Sequence, residues 1–414
     1  MCTFDSLKSH NTWISFFNEK TESGNLTKDQ IADFFSFIQN KEYLYVVDRI
    51  VNGELLSPPL KTIVSKQYSS KKRTVYTFSR EENYVLKLLT YLLIRKYDYV
   101  FAKNLYSFRF NHGVRRAINY LKCDIGLAER FVYKADIHNY FNSVNVQKLI
   151  PILKDVMADD IETYSFIESL LKDSRVMMTN GEIVKENKGI MAGVPISSFL
   201  ANVYLYQLDW HFQDIGINYA RYSDDIIVFA HNDAERKKCI SYIHSFLEEK
   251  SLSINQDKES TVEPHEIWEF LGISYCNGIF DISETSAKKL KKKMWRKSRA
   301  LLRWKNRKQT ENIYAAKAFV KAFNKKLYDN PISSELTWTR WFFPLINTAK
   351  TIQSLDHYMQ ECIRYIATEK RTNKKYSFNY SMIKNLGYRS LVNEYYKTKA
   401  NTNPDFANVN KSNE

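Results

Sequence analysis

The sequence predicts a core of mixed helix and strand, of the α/β or α+β class, followed by a helical and basic region. Between residues 131 and about 282, segments with helical spacing of apolar residues alternate with strand-like runs. From Ser283 onward the spacing is helical and basic side chains predominate. Hydrophobic residues make up 44% of the chain and charged residues 26%, which is ordinary globular usage and excludes wholesale disorder.

The charge balance favours a polyanionic partner. The 414 residues include 61 Lys and Arg against 46 Asp and Glu, a formal net charge of +15, and no lipid anchor accompanies it. The five cysteines are scattered and form no C-x-x-C pair, which is typical of a reduced intracellular protein without a zinc module. We find no signal peptide and no apolar run that could span a bilayer, so we expect a cytoplasmic protein without a membrane partner.

Apolar spacing and turn residues predict the elements outside this core. Residues 1–55 are expected to form a helical N-terminal extension. β-Branched residues on either side of a polar turn at 68–71 predict a basic hairpin over residues 61–78. Residues 81–96 have the apolar spacing of a helix, and the polar, Asn-rich residues 400–414 predict a disordered tail.

Carboxylates follow or interrupt two strand-like runs. Asp224 and Asp225 stand in a short polar turn, which predicts a tight β-hairpin with Ser223 and Asp224 near its tip. An isolated Asp-Asp pair is usually a solvated loop, but Asp136 also ends a hydrophobic run. Asp136 could instead cap a helix. Carboxylates delivered by two β-elements would form an oxygen-rich site suited to Mg²⁺, and two such ions can promote phosphoryl transfer.

A glycine-bounded segment lies between these acidic positions in the chain. Gly189 and Gly193 permit close backbone approach, and Pro195 suits the first turn of the helix that follows. Alone, such a segment would indicate only a capped helix. Its place after Asp136 and before Asp224 makes it informative.

A run of basic residues opens the helical region. Residues 285–310 contain twelve Lys or Arg and no acidic residue, with Trp295 and Trp304 among them. Charges of one sign at this density repel each other unless a polyanion lies nearby, although a charge run can also be a solvated face. We therefore predict a nucleic-acid-binding helix. The candidate contacts are Lys291, Lys292, Arg296 and Arg299.

Taken in chain order, these segments resemble motifs of the reverse transcriptases, specifically the bacterial branch related to group II intron enzymes. Ordered matches run from about Arg73 to Ile273, half of the chain. The matching segments are Ser107-Phe108-Arg109, Asp136-Ile137-x-x-Tyr140-Phe141, Gly189-x-x-x-Gly193-x-Pro195, Tyr222-Ser223-Asp224-Asp225, Ser253-Ile254-Asn255-Gln256-Asp257-Lys258 and Phe270-Leu271-Gly272-Ile273.

The resemblance implies an α+β right-hand polymerase with fingers, a ferredoxin-like palm and a helical thumb. It also implies an order of domains along the chain. These are an N-terminal extension (1–55), fingers (56–130), a palm (131–283) with part of the fingers inserted at about 145–190, a basic thumb or C-terminal region (284–399) and a tail (400–414).

The resemblance further implies roles for single residues in RNA-directed DNA synthesis. Asp136, Asp224 and Asp225 would be catalytic and would hold two Mg²⁺ ions, for which Mn²⁺ can substitute. The Ile137 carbonyl would complete one metal shell. The implied nucleotide-binding residues are Lys66 and Arg73 at the triphosphate, Phe141 beneath the sugar, Gly193 in the template-facing loop and Lys258 at the departing pyrophosphate.

Two positions depart from the family's pattern. The template-facing motif normally contains Pro-Gln-Gly, whereas the segment here reads Met191-Ala192 and lacks the glutamine. In the first motif, Asn142 stands where the family has Asp. Neither change removes a metal ligand, so the resemblance still implies polymerisation, and the changes bear on template handling.

The class of reverse transcriptase is inferred from what the remaining sequence lacks. We find no zinc endonuclease, integrase or RNase H segment and no retron hallmark. What remains resembles the stand-alone "unknown group" of bacterial enzymes, many of which act against phage with a neighbouring non-coding RNA. Residues 387–392 are most similar to the type 2 defence-associated class. The expected partners are dNTPs, a dedicated non-coding RNA as template, and the cDNA product.

Two other functions stay open at this level. The scaffold could be a non-catalytic, maturase-like RNA-binding protein, although the intact Asp136, Asp224 and Asp225 speak against it. It could also be an untemplated terminal nucleotidyltransferase with the same active site. These residues do not distinguish templated from untemplated synthesis, and they do not indicate the priming mode or the oligomeric state.

Overall fold

The computed structural model describes residues 3–22, 26–65, 72–328, 337–371 and 373–402. Helices and largely antiparallel sheets make an α+β fold, as predicted. Contacts divide the chain into two compact units, Met1–Pro264 and His265–Glu414. The domain boundaries proposed from the sequence stay predictions. Lys66, the hairpin tip at 68–71 and residues 403–414 of the predicted tail lie outside the described residues.

The first unit begins with helices that pack around an aromatic cluster. Trp13 stacks on Tyr43 with ring centroids 4.9 Å apart and meets Phe37 edge-on at 5.5 Å. Thr27 opens the third helix with a capping box shared with Gln30. The predicted helical extension is therefore confirmed where it is described. Its helices are α1 (Thr3–Lys8), α2 (His10–Glu22), α3 (Lys28–Gln39) and α4 (Tyr43–Val51).

A four-stranded sheet follows and includes the predicted basic hairpin. Strands β1 (Leu60–Ser65) and β2 (Lys72–Thr77) pair antiparallel. The chain then forms α5 (Arg80–Lys96), which agrees with the predicted helix, and α6 (Val114–Lys122). Two later strands, β4 (Arg175–Met177) and β5 (Ile183–Lys185), join this sheet. Met177 pairs parallel with Leu60, and the strand order is β2-β1-β4-β5. The remaining elements up to that point are β3 (Phe131–Asp136), α7 (Tyr140–Ser143), α8 (Val146–Val156) and α9 (Ile161–Lys172).

A second four-stranded sheet holds the acidic positions. Its chain order is β3, α10, β6, β7, α11 and β8, and its strands lie in the order β6-β7-β3-β8, which is the predicted ferredoxin-like arrangement. The rings of His211 and Tyr242 stack 3.6 Å apart and join the two helices. The bounds are α10 (Ser197–Asp214), β6 (Asn218–Tyr222), β7 (Asp225–Ala230), α11 (Asp233–Glu249) and β8 (Ser260–Val262).

The second unit combines a three-stranded antiparallel sheet with helices. The sheet consists of β9 (Trp268–Phe270), β10 (Ile273–Cys276) and β11 (Ile279–Ile282), in the order β11-β10-β9. The predicted basic helix is confirmed as α12, which buries Leu290 and Met294. It packs against the next two long helices, α13 and α15. The helices are α12 (Glu284–Lys308), α13 (Asn312–Leu327), α14 (Trp338–Phe342), α15 (Lys350–Thr368), α16 (Tyr380–Asn385) and α17 (Leu391–Thr402).

Candidate active site

Three carboxylates meet at one end of the second four-stranded sheet, β6-β7-β3-β8. Asp136 ends β3 and lies directly opposite Asp225, the first residue of the neighbouring strand β7. Asp224 precedes Asp225 in the β6–β7 turn, and its carbonyl accepts a hydrogen bond from the Ile137 N–H at 3.0 Å. One ligand oxygen from each carboxylate lies within 4.8 Å of the others. The sheet register thus brings together the three residues predicted as catalytic.

The turn that carries Asp224 is a tight hairpin, as predicted. Tyr222 pairs with Asp225, so only Ser223 and Asp224 form the tip. Ser223 adopts a left-handed φ of 62°, which is uncommon for a residue other than glycine. The Ser223 N–H donates to the Ser107 hydroxyl at 2.9 Å, which fixes this strained position.

A buried ion pair supports the same turn from behind. Arg221 and Asp209 both have side chains with 0% exposure, and the Arg221 Nε donates to Asp209 Oδ1 at 2.7 Å. A second guanidinium nitrogen of Arg221 donates to the Ser223 carbonyl at 3.2 Å. The Tyr219 hydroxyl also donates to Asp209, at 2.9 Å. Because both charged groups are buried and these hydrogen bonds are supplied by the protein, the pair can hold the turn without contact with water.

Burial and mutual repulsion dominate the electrostatics of the acidic cluster. Burial, followed by the charge of Asp136, raises the pKa of Asp224. Burial, followed by the charges of Asp224 and Asp136, raises the pKa of Asp225 to about 6. Neighbouring positive groups only partly offset this cost. Three hard oxygen donors on rigid β-elements, with a negative charge that is only partly compensated, fit divalent cations such as Mg²⁺.

The segment before β8 holds Asp136 in place. The Asn255 backbone N–H donates to the Asp136 carbonyl at 2.7 Å, and the Asn255 amide donates to Asp136 Oδ1 at 3.1 Å. The Lys258 ammonium donates to the other carboxylate oxygen of Asp136. Burial opposes the charge of Lys258, but this bond and the nearby carboxylates outweigh it and raise its pKa. Lys258 is therefore a fixed cation beside the cluster.

Two further predicted nucleotide-binding residues, Arg73 and Phe141, lie in the same unit as this cluster. Arg73 is exposed on β2, and its charge acts to lower the pKa of Asp224. Phe141 is half-buried on α7 and meets the Phe108 ring edge-on at 6.2 Å. Their roles toward a triphosphate and a sugar stay predictions, as does the Ile137 carbonyl as a metal ligand.

The glycine-bounded segment packs directly against backbone. A Cβ on Gly189 would lie 2.5 Å from the Phe141 carbonyl, and Gly193 combines a φ of +100° with 3.0 Å to the Tyr76 carbonyl. These glycines therefore permit the close approach predicted for them. Pro195 was predicted in the first turn of the following helix, and this prediction is wrong. The N-cap of α10 is Ile196 and the helix begins at Ser197, so Pro195 lies just before it.

Asn142, which departs from the family's pattern, joins this segment to the first sheet. Its side-chain oxygen accepts the Ala192 N–H at 3.0 Å, and its amide nitrogen donates to the Thr74 carbonyl at 3.3 Å. The Ala192 carbonyl in turn accepts the Tyr76 N–H at 2.8 Å. An ionised Asp could not donate the bond to Thr74, so the amide suits this junction.

The predicted nucleic-acid contacts of α12 lie in the second unit. Lys292, Arg296 and Arg299 are exposed on the helix, away from its buried side. Lys291 is half-buried and donates to the Ser354 hydroxyl at 2.8 Å. Three of the four residues thus present their charge to solvent, and binding to nucleic acid stays a prediction.

Sequence reasoning missed the ion pair behind the turn and the role of the Ser107 hydroxyl. Arg221 stands in an apolar strand and Asp209 in an apolar stretch of α10, and a charge in such a context signals a buried partner. The pairing itself joins positions twelve residues apart through the fold. Only the tertiary structure identifies the partner.

Comparison with known proteins places this site in a family. Residues 65–275 match the family described as reverse transcriptase (RNA-dependent DNA polymerase). The match covers half of the chain and includes all three carboxylates, and the chain belongs to this family.

Individual relatives are distant. The chain is 24% identical over 232 residues to the group II intron-encoded protein LtrA of Lactococcus lactis subsp. cremoris, a match that covers 54% of this chain and 38% of that protein. It thus spans well under half of the curated relative's length. Among solved structures, apo telomerase of Candida tropicalis truncated from its C-terminal domain has a TM-score of 0.46 at 11% identity, covering 55% of this chain and 56% of that one. Telomerase of Candida albicans in complex with a TWJ fragment of telomeric RNA has a TM-score of 0.45 at 11% identity, covering 86% and 71%.

None of the described helices combines the length and the apolar character that a membrane span requires.

Proposed function

We propose that the protein is an RNA-directed DNA polymerase that synthesises cDNA from dNTPs on an RNA template. The observation that carries this proposal is the convergence of Asp136, Asp224 and Asp225 within 4.8 Å, in a chain of the reverse transcriptase family. Carboxylates that repel each other at the rim of a rigid sheet cost stability, which a metal-binding role accounts for. A purely RNA-binding scaffold would not need them.

The chain's own groups have distinct parts in this proposal. Asp136, Asp224 and Asp225 would hold two Mg²⁺ ions, which when bound supply charge stabilisation for the attacking and leaving oxygens. Arg73, whose charge acts on Asp224, would bind triphosphate oxygens. Lys258 keeps its proton beside Asp136 and would give it to the departing pyrophosphate.

We further propose a biological setting. The similarity to the group II intron-encoded protein LtrA supports a bacterial reverse transcriptase. The type 2-like resemblance supports an enzyme of antiphage defence that copies a dedicated non-coding RNA in the cytoplasm. The exposed basic side of α12 supports binding of the template–primer duplex.

A primer-extension assay on a defined RNA template tests the proposal. The purified protein, a DNA primer, dNTPs and Mg²⁺ should yield DNA complementary to the template, and Asp225→Asn should abolish it. Product of unrelated sequence would identify an untemplated transferase. RNA binding without any product would identify a maturase-like protein. Sequencing the nucleic acid that co-purifies with the protein would then name the natural RNA, and a heterogeneous mixture would contradict a dedicated template.

A further inference from the structure

A polar cavity of about 400 Å³ lies in the first unit, at the end of the β6-β7-β3-β8 sheet opposite to the acidic cluster. Asn218 begins β6 there, Arg130 precedes β3 and His231 follows β7. The carboxylates Asp136 and Asp225 pair at the other end, so five residues of each strand, or roughly 17 Å, separate the two ends. The cavity is large enough for a nucleotide and is separate from the candidate active site.

Two asparagine side chains that line this cavity, Asn104 and Asn218, have unsatisfied oxygens. The amide nitrogen of Asn104 donates to the Asp209 carbonyl at 3.0 Å, and that of Asn218 donates to Asp124 Oδ2 at 2.9 Å. A carbonyl and a carboxylate only accept, so these bonds identify the nitrogen end of each amide. Both amide oxygens are shielded from water and accept no hydrogen bond from the residues that the structure describes. Because a buried acceptor without a donor costs stability, a ligand that brings N–H groups would stabilise this end of the sheet.

An exposed aromatic ring borders the same cavity. Tyr120, near the end of α6, lines it and exposes 44% of its surface. The buried ring of Tyr106 lies behind it, with the two ring centroids 5.9 Å apart. Because a neighbouring ring supports Tyr120 on one side and solvent covers much of the rest, a flat group can stack on its exposed face.

The charge that remains uncompensated at the cavity is positive. Arg130 and Asp124 form an ion pair at 3.0 Å, so their charges offset each other. The His231 ring contacts the Glu235 carboxylate at 3.0 Å. Lys103 is exposed at the cavity, and no carboxylate in the described part of the chain pairs with its ammonium. A free ammonium beside a polar cavity favours a phosphate group.

We propose that this cavity is a second nucleotide site, for a mononucleotide whose base carries an exocyclic amino group. The base stacks on Tyr120, its N–H groups donate to the oxygens of Asn104 and Asn218, and its phosphate contacts Lys103. An amine without a phosphate fits less well, because Lys103 and Arg130 would repel it. The proposal does not depend on the polymerase function, since none of these residues belongs to the acidic cluster.

Calorimetric titration of single nucleotides tests the proposal. AMP, IMP, CMP and UMP are titrated against the full chain in EDTA, which removes the divalent cations that the acidic cluster would hold. AMP should bind roughly 10-fold more tightly than IMP, and CMP more tightly than UMP, because IMP and UMP have an oxygen in place of the amino group. Tyr120→Ala combined with Lys103→Gln should weaken AMP binding by roughly 10-fold or more. Tyr120→Phe, which keeps a ring, should retain it.

Matched controls lie outside the cavity. Tyr45, which is 71% exposed, and Lys154, which is also exposed, allow Tyr45→Ala with Lys154→Gln, and this pair should leave AMP binding unchanged. Asp225→Asn should leave it unchanged as well. The proposal is overturned if no nucleotide binds, if AMP and IMP bind equally, or if Tyr120→Ala with Lys103→Gln keeps the affinity for AMP. A loss of AMP binding in Asp225→Asn would assign the binding to the acidic cluster and overturn it too.

Discussion

The Arg221 guanidinium bridges Asp209 to the Ser223 carbonyl, so a fully buried ion pair lies directly behind the turn that presents Asp224. The pair links α10 to the β6–β7 hairpin. Removing one member leaves an uncompensated buried charge, whereas removing both leaves an apolar gap. The position of the turn and the stability of the fold therefore depend on the same ion pair. Variants that remove one or both of its members can separate the two effects.

We predict that Asp209→Asn lowers the free energy of unfolding by about 3 kcal/mol or more, because Arg221 stays buried without a counter-charge. Arg221→Met combined with Asp209→Leu should recover most of this stability. It should not recover primer extension, because the Ser223 carbonyl loses its donor. Urea unfolding and extension rates measure the two effects. If the double variant recovered both stability and primer extension, the ion pair would be only structural.

Replacing the two turn carboxylates should separate catalysis from binding. Asp224→Ala with Asp225→Ala should abolish Mg²⁺-dependent dNTP incorporation without lowering the melting temperature, because mutual repulsion is removed. RNA binding, measured by filter retention, should persist. Asp155→Ala with Asp214→Ala, at exposed positions, is the matched control and should stay active. Residual incorporation in the first variant would remove these carboxylates from the mechanism.

Sugar selection is expected to depend on Phe141. Its ring would pack beneath the incoming sugar and leave no room for a 2′-hydroxyl, so Phe141→Ala should admit ribonucleotides and keep much of the dNTP incorporation. Competition between dNTP and rNTP in primer extension measures the change. Because Phe141 also meets Phe108, a joint loss of both activities with a lowered melting temperature would indicate packing instead.

Charge on α12 should determine the salt dependence of nucleic-acid binding. Neutralising its four candidate contacts should weaken binding and reduce the slope of log affinity against log salt by up to about one unit per lost phosphate contact. Neutralising Lys28, Lys154 and Lys238, which are exposed in the first unit, should change the slope less. An unchanged slope in the first variant would show that the basic run is a solvated face. The four residues are Lys291, Lys292, Arg296 and Arg299.

Acid should destabilise the first unit through Asp160. Burial opposes ionisation of this carboxylate, but hydrogen bonds from Thr3, Lys96 and Thr163 outweigh it and lower its pKa to about 2. A pKa below the unfolded value means that Asp160 stabilises the fold above about pH 4 and that this contribution, about 2 kcal/mol at most, is lost between pH 4 and 2.

The stability of an Asp160→Asn variant at different pH values tests this contribution. Asp160→Asn should be less stable than the wild-type protein at pH 6 in urea unfolding, and the difference should shrink as the pH falls toward 2. Asp155→Asn, at an exposed position nearby, should show no such convergence. A constant difference for Asp160→Asn across this range would mean that the ionised carboxylate does not contribute.

Much of the site could be predicted because its signals are local. A two-residue turn between apolar strands predicts a hairpin at Ser223 and Asp224, and the structure confirms it. An apolar run ending in Asp136 predicts a carboxylate at a strand end, and it is there. The first turn of α10 was the exception, because Pro195 precedes the N-cap rather than following it. Helix ends are the least regular part of a helix, so a local pattern predicts them only to within a residue or two.

The sequence by itself determined the N-terminal helices, the basic hairpin, the helix at 81–96, the basic helix α12 and the hairpin that carries Asp224, because spacing and turn chemistry act over a few residues. Only the tertiary structure decided that Asp136 faces Asp225, that Ser107 and Arg221 hold the turn, and that Asn142 joins two sheets. These contacts join residues that are far apart in the chain or on different elements. Strand register and helix packing choose such partners through burial of the whole core, and no local pattern encodes that choice.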